Sequence, residues 1–329
     1  MSSQEMLLYL VIFLALLFSF VNGFHDTANA VATSIATRAL TPDRAVMISS
    51  LANFLGALSS TAVALTIGKG IVNPEAITQQ LLVAALVSAI LWNLITWYYG
   101  IPSSSSHALI GGLLGATLIA KGAQAIIAKG FYKVIISLFL SPIIGLIIGF
   151  SIMTIFFWIF RNADPNKSNN KFRKLQVFSS ALISFSNGSN DAQKTMGIIT
   201  LALFSASMIK TFEVPLPVTI ASSLAMALGT ATGGKKIIRT MGNKIFKIQP
   251  INGFASDLSS SIVILSATLF GAPVSTTHVV SSAIMGVGAA KRLRAVKWGV
   301  AQSIVTAWFL TIPFSAILGA LTYLIIKII

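Results

Sequence analysis

Two short motifs, each present twice, hold most of the polar chemistry in this chain. Asn22-Gly-Phe-His-Asp26 returns as Asn187-Gly-Ser-Asn-Asp191, 165 residues later. Gly100-Ile-Pro-Ser-Ser-Ser-Ser-His107 returns as Gly271-Ala-Pro-Val-Ser-Thr-Thr-His278, 171 residues later. The four copies contain all 3 histidines (His25, His107, His278) and two of the 8 acidic residues, Asp26 and Asp191. Carboxylates at membrane depth line water-filled paths or bind ions. The hydroxyl runs Ser104, Ser105, Ser106 and Ser275, Thr276, Thr277 follow a proline and precede an apolar stretch. A helix starting there presents free N–H groups and a positive dipole end, which suit an oxyanion. Two such starts related by a pseudo-two-fold would make a nearly symmetric cage of donors for a tetrahedral anion. The plainer alternative is N-capping, by the hydroxyls and by the aspartates alike. Pairing by repeat favours a site, and capping is compatible with one.

The elements that must hold these residues are apolar. Hydrophobic residues make up 55% of the chain and charged residues 9%. A soluble domain carries roughly a quarter charged residues, so lipid is the solvent here. The net charge of +15 reads as Lys and Arg gathered in loops, not as a nucleic-acid surface. There are 0 cysteines, which excludes disulfides and thiolate metal sites. Met1–Gln4 lacks a basic stretch and Glu5 precedes the first apolar run, which reads as a retained helix and not a cleaved signal.

Five membrane elements are expected per half, at about 6–37, 45–68, 76–99, 103–120 and 131–160, then 176–207, 214–233, 251–270, 274–290 and 298–327. The first of each half is about 46 Å long against a core of roughly 30 Å, and Asn22-Gly23 and Asn187-Gly188 are placed to break it. The Gly-Ile-Pro and Gly-Ala-Pro turns join two full spans or form the tip of a re-entrant hairpin; spacing leaves both open. The fold class is thus an all-α integral membrane protein. It has about ten transmembrane or re-entrant elements in two inverted repeats, with broken helices at the midplane. Residues 1–160 form the first repeat, 161–174 a cytoplasmic linker and 175–329 the second repeat. With that linker inside, sixteen of the 23 basic residues fall inside and six outside or at the C-terminus, and Lys194 lies in the membrane. This is a multi-pass protein of the cell membrane with both termini outside.

His107 and His278 read as proton acceptors or as neutral core histidines. Asn53, at mid-span, reads as interhelical glue or a cation ligand. Asp257 has Leu86 as its repeat partner, and helix capping is as good a reading of it as transport. No His-Glu-x-x-His, Gly-x-Ser-x-Gly or nucleotide-binding loop is present. An intramembrane hydrolase would need one asymmetric nucleophile, not two matched sets. The driving force must come from an ion gradient or a partner.

At these residues the chain resembles the PiT family of inorganic phosphate transporters, over essentially its full length. Gly23-Phe-His-Asp-Thr-Ala-Asn-Ala30 looks like the family's first signature and Gly188-Ser-Asn-Asp191 like its second copy. Pro102–His107 and Pro273–His278 resemble its paired hydroxyl segments. The resemblance implies a symporter of phosphate with a cation, H⁺ or Na⁺, with external termini. It places Asp26, Asn29, Asn190, Asp191 and the two hydroxyl runs around the substrate and cation sites, with Na⁺ at the Asp26 and Asp191 copies. The cation-coupling set is then Asp26, Asp191, Asn22, Asn187, Asn53, His107 and His278. No cofactor or transition metal is expected, and the oligomeric state is left open, with a homodimer as one option. The second copy departs from the pattern: Lys194 stands where Asn29 stands in the first. Asp191 and Lys194 are spaced i,i+3 and can pair, and Lys194 is counted with the substrate-binding residues. Sulfate is the alternative substrate. Phosphate carries a proton it can donate to a carboxylate, and sulfate does not.

Overall fold

The computed structural model describes residues 3–233, 237–238 and 240–328. Its α-helices are α1 (Ser3–Ala36), α2 (Pro42–Ala57), α3 (Ala62–Gly70), α4 (Gln79–Tyr99), α5 (Ser105–Lys121) and α6 (Ala128–Ile159). They continue with α7 (Pro165–Ser205), α8 (Leu216–Thr232), α9 (Pro250–Leu269), α10 (Thr276–Lys291) and α11 (Trp298–Ile328). A π-helical turn, Thr240–Lys244, follows α8. The described residues contain no strand, and the fold is that of an all-α membrane protein. Backbone groups in lipid must be satisfied within their own segment, which a helix does. The helices α1, α4, α6 and α11 are each long and apolar enough to cross a membrane, and α2 with α3 makes a further span bent by 67°.

The first half runs as a long helix, a bent pair, a helical hairpin and a second long helix, and the second half repeats the long helix, the hairpin and the closing long helix, with α8 in the place of α2. The halves interlock. α1 packs along α8 and α2 along α7, while α6 packs on α10 and α11 on α5. Pro142 inside α6 and Pro313 inside α11 stand 171 residues apart, the same offset as the hairpin motifs.

The first helix of each half is not broken where the sequence suggested. α1 runs for 34 residues through Asn22-Gly23, and α7 for 41 residues through Asn187-Gly188. The glycines serve close packing instead. A side chain on Gly23 would collide with the Met226 carbonyl of α8, and one on Gly188 with the Asn53 carbonyl of α2. The interruptions fall at the bent pair α2–α3 and at the hairpin tips. Gly100, at φ 66°, ends α4, and Gly271, at φ 61°, follows α9. The segment 161–174 is also more ordered than a linker. Asp164 accepts the N–H groups of Asn166 (2.7 Å) and Lys167 (3.3 Å), Pro165 occupies the first turn, and α7 starts there. That is a strong helix start, so a polar extension of about three turns precedes the apolar part.

Loops gather at two ends. At one end Asn73 N–H donates to the Ala125 carbonyl (2.9 Å) and Ile127 N–H to Ile71 (2.9 Å). The Gln79 amide there donates to the Ala202 carbonyl at 2.9 Å. At the other end Lys297 N–H donates to the Ile245 carbonyl (3.0 Å), and Thr37 Oγ1 donates to Gln176 Oε1 (2.6 Å). These are the same two groups into which the charge count sorts the loops. Met1, Ser2, Lys235, Lys236 and Arg239, which entered those readings, lie outside the described residues. Two large apolar clusters and a small third one around Met153, Ala255 and Val287 fill the interior. One large cluster is built on α1, α4, α5 and α7, the other on α1, α9, α10 and α11. The paired motifs lie between these two.

Candidate functional site

The two hairpin tips meet inside the protein. Ser106 Oγ donates to the Val274 carbonyl at 3.0 Å, and the rings of His107 and His278 lie 4.5 Å apart. Pro102–Thr117 and Val274–Gly288 are buried throughout. The two tips thus touch in the interior, as the tips of re-entrant hairpins would.

Each tip starts a helix. Ser104 Oγ accepts the His107 N–H (3.1 Å) and Ser275 Oγ the His278 N–H (3.3 Å), so these two residues are N-caps. Ser105, Ser106, Thr276 and Thr277 follow as the first helical residues, whose N–H groups have no acceptor within their own helix. Ser104 Oγ also lies 2.7 Å from His107 Nδ1. His278 stacks on Trp308, with centroids 4.0 Å apart.

The aspartates reach the second tip from two different helices. Thr277 Oγ1 donates to Asp26 Oδ1 at 2.9 Å, and Thr276 Oγ1 to Asp191 Oδ2 at 2.8 Å. Asn29 Nδ2 donates to Asp26 Oδ1 and to Thr277 Oγ1, both at 3.0 Å. Lys194 Nζ forms an ion pair with Asp191 Oδ1. Asp26, Asn29, Asp191, Lys194, Thr276 and Thr277 are therefore one connected and fully buried group. His25 Nδ1 stands 3.6 Å from Asp26 Oδ1. Among the described residues no group of three or more His, Asp or Glu gathers as a metal cluster.

Other expected residues have more local partners. Asn190 is engaged with the turn: its amide donates to Thr268 Oγ1 (3.0 Å) and the Ala272 carbonyl (3.3 Å), and its Oδ1 accepts the Val274 N–H (3.3 Å). His25, its repeat partner, likewise meets Thr96 at 3.3 Å. This pair fastens each hairpin to its long helix, a role that spacing did not reveal. Asn53 donates to Thr230 Oγ1 at 2.9 Å and so joins α2 to α8. Asn22 and Asn187 are buried beside the aspartates' own turns; Asn22 Oδ1 and both polar atoms of Asn187 have no protein partner among the described residues.

Sequence reasoning underrated Asp257. It accepts Thr33 Oγ1 (2.7 Å) from α1 and Ser179 Oγ (2.8 Å) from α7. Asn29 and Thr33 on α1 and Thr37 just past its end are spaced i,i+4, so a buried polar seam leads from the aspartates toward the end carrying Arg38. The repeat-related positions of the other half are Leu86, Ile198 and Ala202, all in the apolar core. The i,i+4 hydroxyl stripe on α1 was the signal that could have found this seam.

Comparison with known proteins adds three findings. The sequence profile of the phosphate transporter family matches residues 22–319. A Bacillus subtilis (strain 168) protein named a probable low-affinity inorganic phosphate transporter is 49% identical over 323 residues, covering 97% of either chain. One of the same name from Rhizobium meliloti (strain 1021) is 45% identical over 315 residues, covering 95% of this chain and 94% of that one. A solved structure described as the sodium-dependent phosphate transporter superposes with a TM-score of 0.91. It shares 28% identity and covers 98% of this chain and 100% of its own. These names describe transporters, not enzymes.

Proposed function

The chain belongs to the phosphate transporter family, and we propose that it is a secondary symporter that takes up inorganic phosphate with a monovalent cation by alternating access. One observation carries this reading. Two carboxylates from two long helices converge on the buried start of α10, where Thr276 and Thr277 donate to them. Helix starts and hydroxyls suit the anion, and the carboxylates suit the cation and the protons that phosphate still carries. The backbone N–H groups of Ser105, Ser106, Thr276 and Thr277 are the anion donors; Asp26 and Asn29 hold the cation. Na⁺ is favoured by the name of the solved relative. H⁺ is the second reading, favoured by His25 beside Asp26.

The halves are inverted repeats. The reciprocal packing of α1 on α8 and α2 on α7 supports this. Alternating access then exchanges the roles of the halves around a fixed site. The polar seam through Thr33 and Asp257 supports release toward the basic end, which the positive-inside rule makes cytoplasmic. Both termini are then external. The test is uptake of labelled phosphate into proteoliposomes, with Na⁺ and pH gradients imposed separately and sulfate in excess. One gradient should drive uptake and sulfate should compete poorly. Accumulation of sulfate itself would overturn the substrate assignment.

A further inference from the structure

The two copies of the aspartate motif are not equivalent, and the difference is one of charge. Under the 165-residue offset Asp26 pairs with Asp191 and Asn29 with Lys194. In the first copy, Asp26 Oδ1 accepts from Asn29 and Thr277. Asp26 Oδ2 and Asn29 Oδ1 are buried and have no protein donor, and the same holds for Asn22 Oδ1 one turn earlier. Bare acceptor oxygens on neighbouring turns, one of them anionic, are what a desolvated monovalent cation requires. In the second copy neither carboxylate oxygen is left over. Asp191 Oδ1 takes the Lys194 ammonium and Oδ2 takes the Thr276 hydroxyl. Lys194 is 1% exposed and ranks among the largest fully buried side chains of the protein. Its charge is therefore held at the site and not in solvent.

We propose that the Lys194 ammonium is a tethered cation filling the second copy of a duplicated cation site, so that this chain moves one monovalent cation per phosphate, bound at Asp26 and Asn29. This rests on the symport reading. A fixed ammonium offsets the Asp191 charge while the anion binds, but it stays with the protein when the anion leaves. The position thus sets coupling stoichiometry. Lys194→Asn restores the first-copy arrangement in the second and should add one cation per phosphate.

The test uses the full chain in proteoliposomes. Labelled phosphate and labelled Na⁺ are counted together, a pH electrode counts H⁺, and a potential is imposed with a potassium ionophore. The wild type should move one cation per phosphate, and so should Lys194→Arg. Lys194→Asn should move two, a gain of one charge per phosphate. One charge across 100 mV is worth about 2.3 kcal/mol, so the accumulation ratio at that potential should rise about 40-fold relative to the wild type. An unchanged charge count in Lys194→Asn, with only a raised half-saturating phosphate concentration, would make Lys194 an anion ligand and overturn the proposal. Two co-transported cations per phosphate in the wild type would overturn it whatever the variant does. A wild type that accumulates no phosphate under any gradient would instead refute the symport reading on which it stands.

Discussion

The Asp191–Lys194 pair makes a quantitative expectation about stability. Both side chains are fully buried, and they face each other across one helical turn. Asp191→Asn leaves an ammonium at membrane depth without its partner; Lys194→Met leaves a carboxylate. Breaking a buried pair typically costs 3–5 kcal/mol in soluble proteins, and a charge at a helix centre costs about 2.5–3.5 kcal/mol on insertion scales. In a membrane the reference state also finds partners, which lowers the figure. Each single variant is therefore expected to lose about 3 kcal/mol. At roughly 2 °C per kcal/mol for a chain of this size, thermal unfolding in detergent should fall by about 6 °C. The double variant Asp191→Asn with Lys194→Met buries no net charge and should recover about 2 kcal/mol of the summed loss. A double variant whose loss equals the sum of the singles within about 0.5 kcal/mol would show that the pair is not coupled, and the reasoning would fail.

Three further expectations concern other parts of the molecule. In this cysteine-free chain, a cysteine at Lys210 should react with an impermeant thiol reagent from outside, and one at Asn169 only after permeabilisation; labelling of both in intact cells would break the topology. Gly188→Ala places a methyl against the Asn53 carbonyl and should cost about 1–3 kcal/mol by forcing α7 and α2 apart, read as a lowered unfolding temperature. Thr277→Val removes a donor to Asp26 and an acceptor for Asn29. A hydrogen bond to a charged group is worth about 1.5–3 kcal/mol, so its half-saturating phosphate concentration should rise at least about tenfold, while Ser137→Ala, at an exposed hydroxyl bonded within its own helix, should leave it unchanged.

Much of this architecture is legible in the chain because lipid simplifies the code. Apolar runs mark helices, and loop charge sorts their ends. Repeats single out Asp26, Asp191 and the hydroxyl tips; both aspartates meet the second tip, and the first tip touches the second through Ser106. Three features were not legible. Asn-Gly inside a helix looks like a break, yet Gly23 and Gly188 are spent on contact with a neighbouring backbone that only tertiary structure reveals. The turns at Pro102 and Pro273 read equally well as span ends or as tips, since crossing parity is the same either way. The partners of Asn190, His25 and Asp257 come from helices 71 to 224 residues away, beyond the reach of local spacing.

Gradient-driven accumulation of phosphate tests the central claim most directly. Purified protein is reconstituted in liposomes with equal phosphate on both sides, and a Na⁺ gradient or a pH gradient is then imposed alone. Internal phosphate should rise above the external concentration under one of the two gradients and fall back when an ionophore collapses it. Asp26→Asn, inserted at wild-type levels, should abolish the rise. Phosphate that merely equilibrates under both gradients, or an Asp26→Asn variant that still concentrates it, would contradict cation-coupled transport at this site.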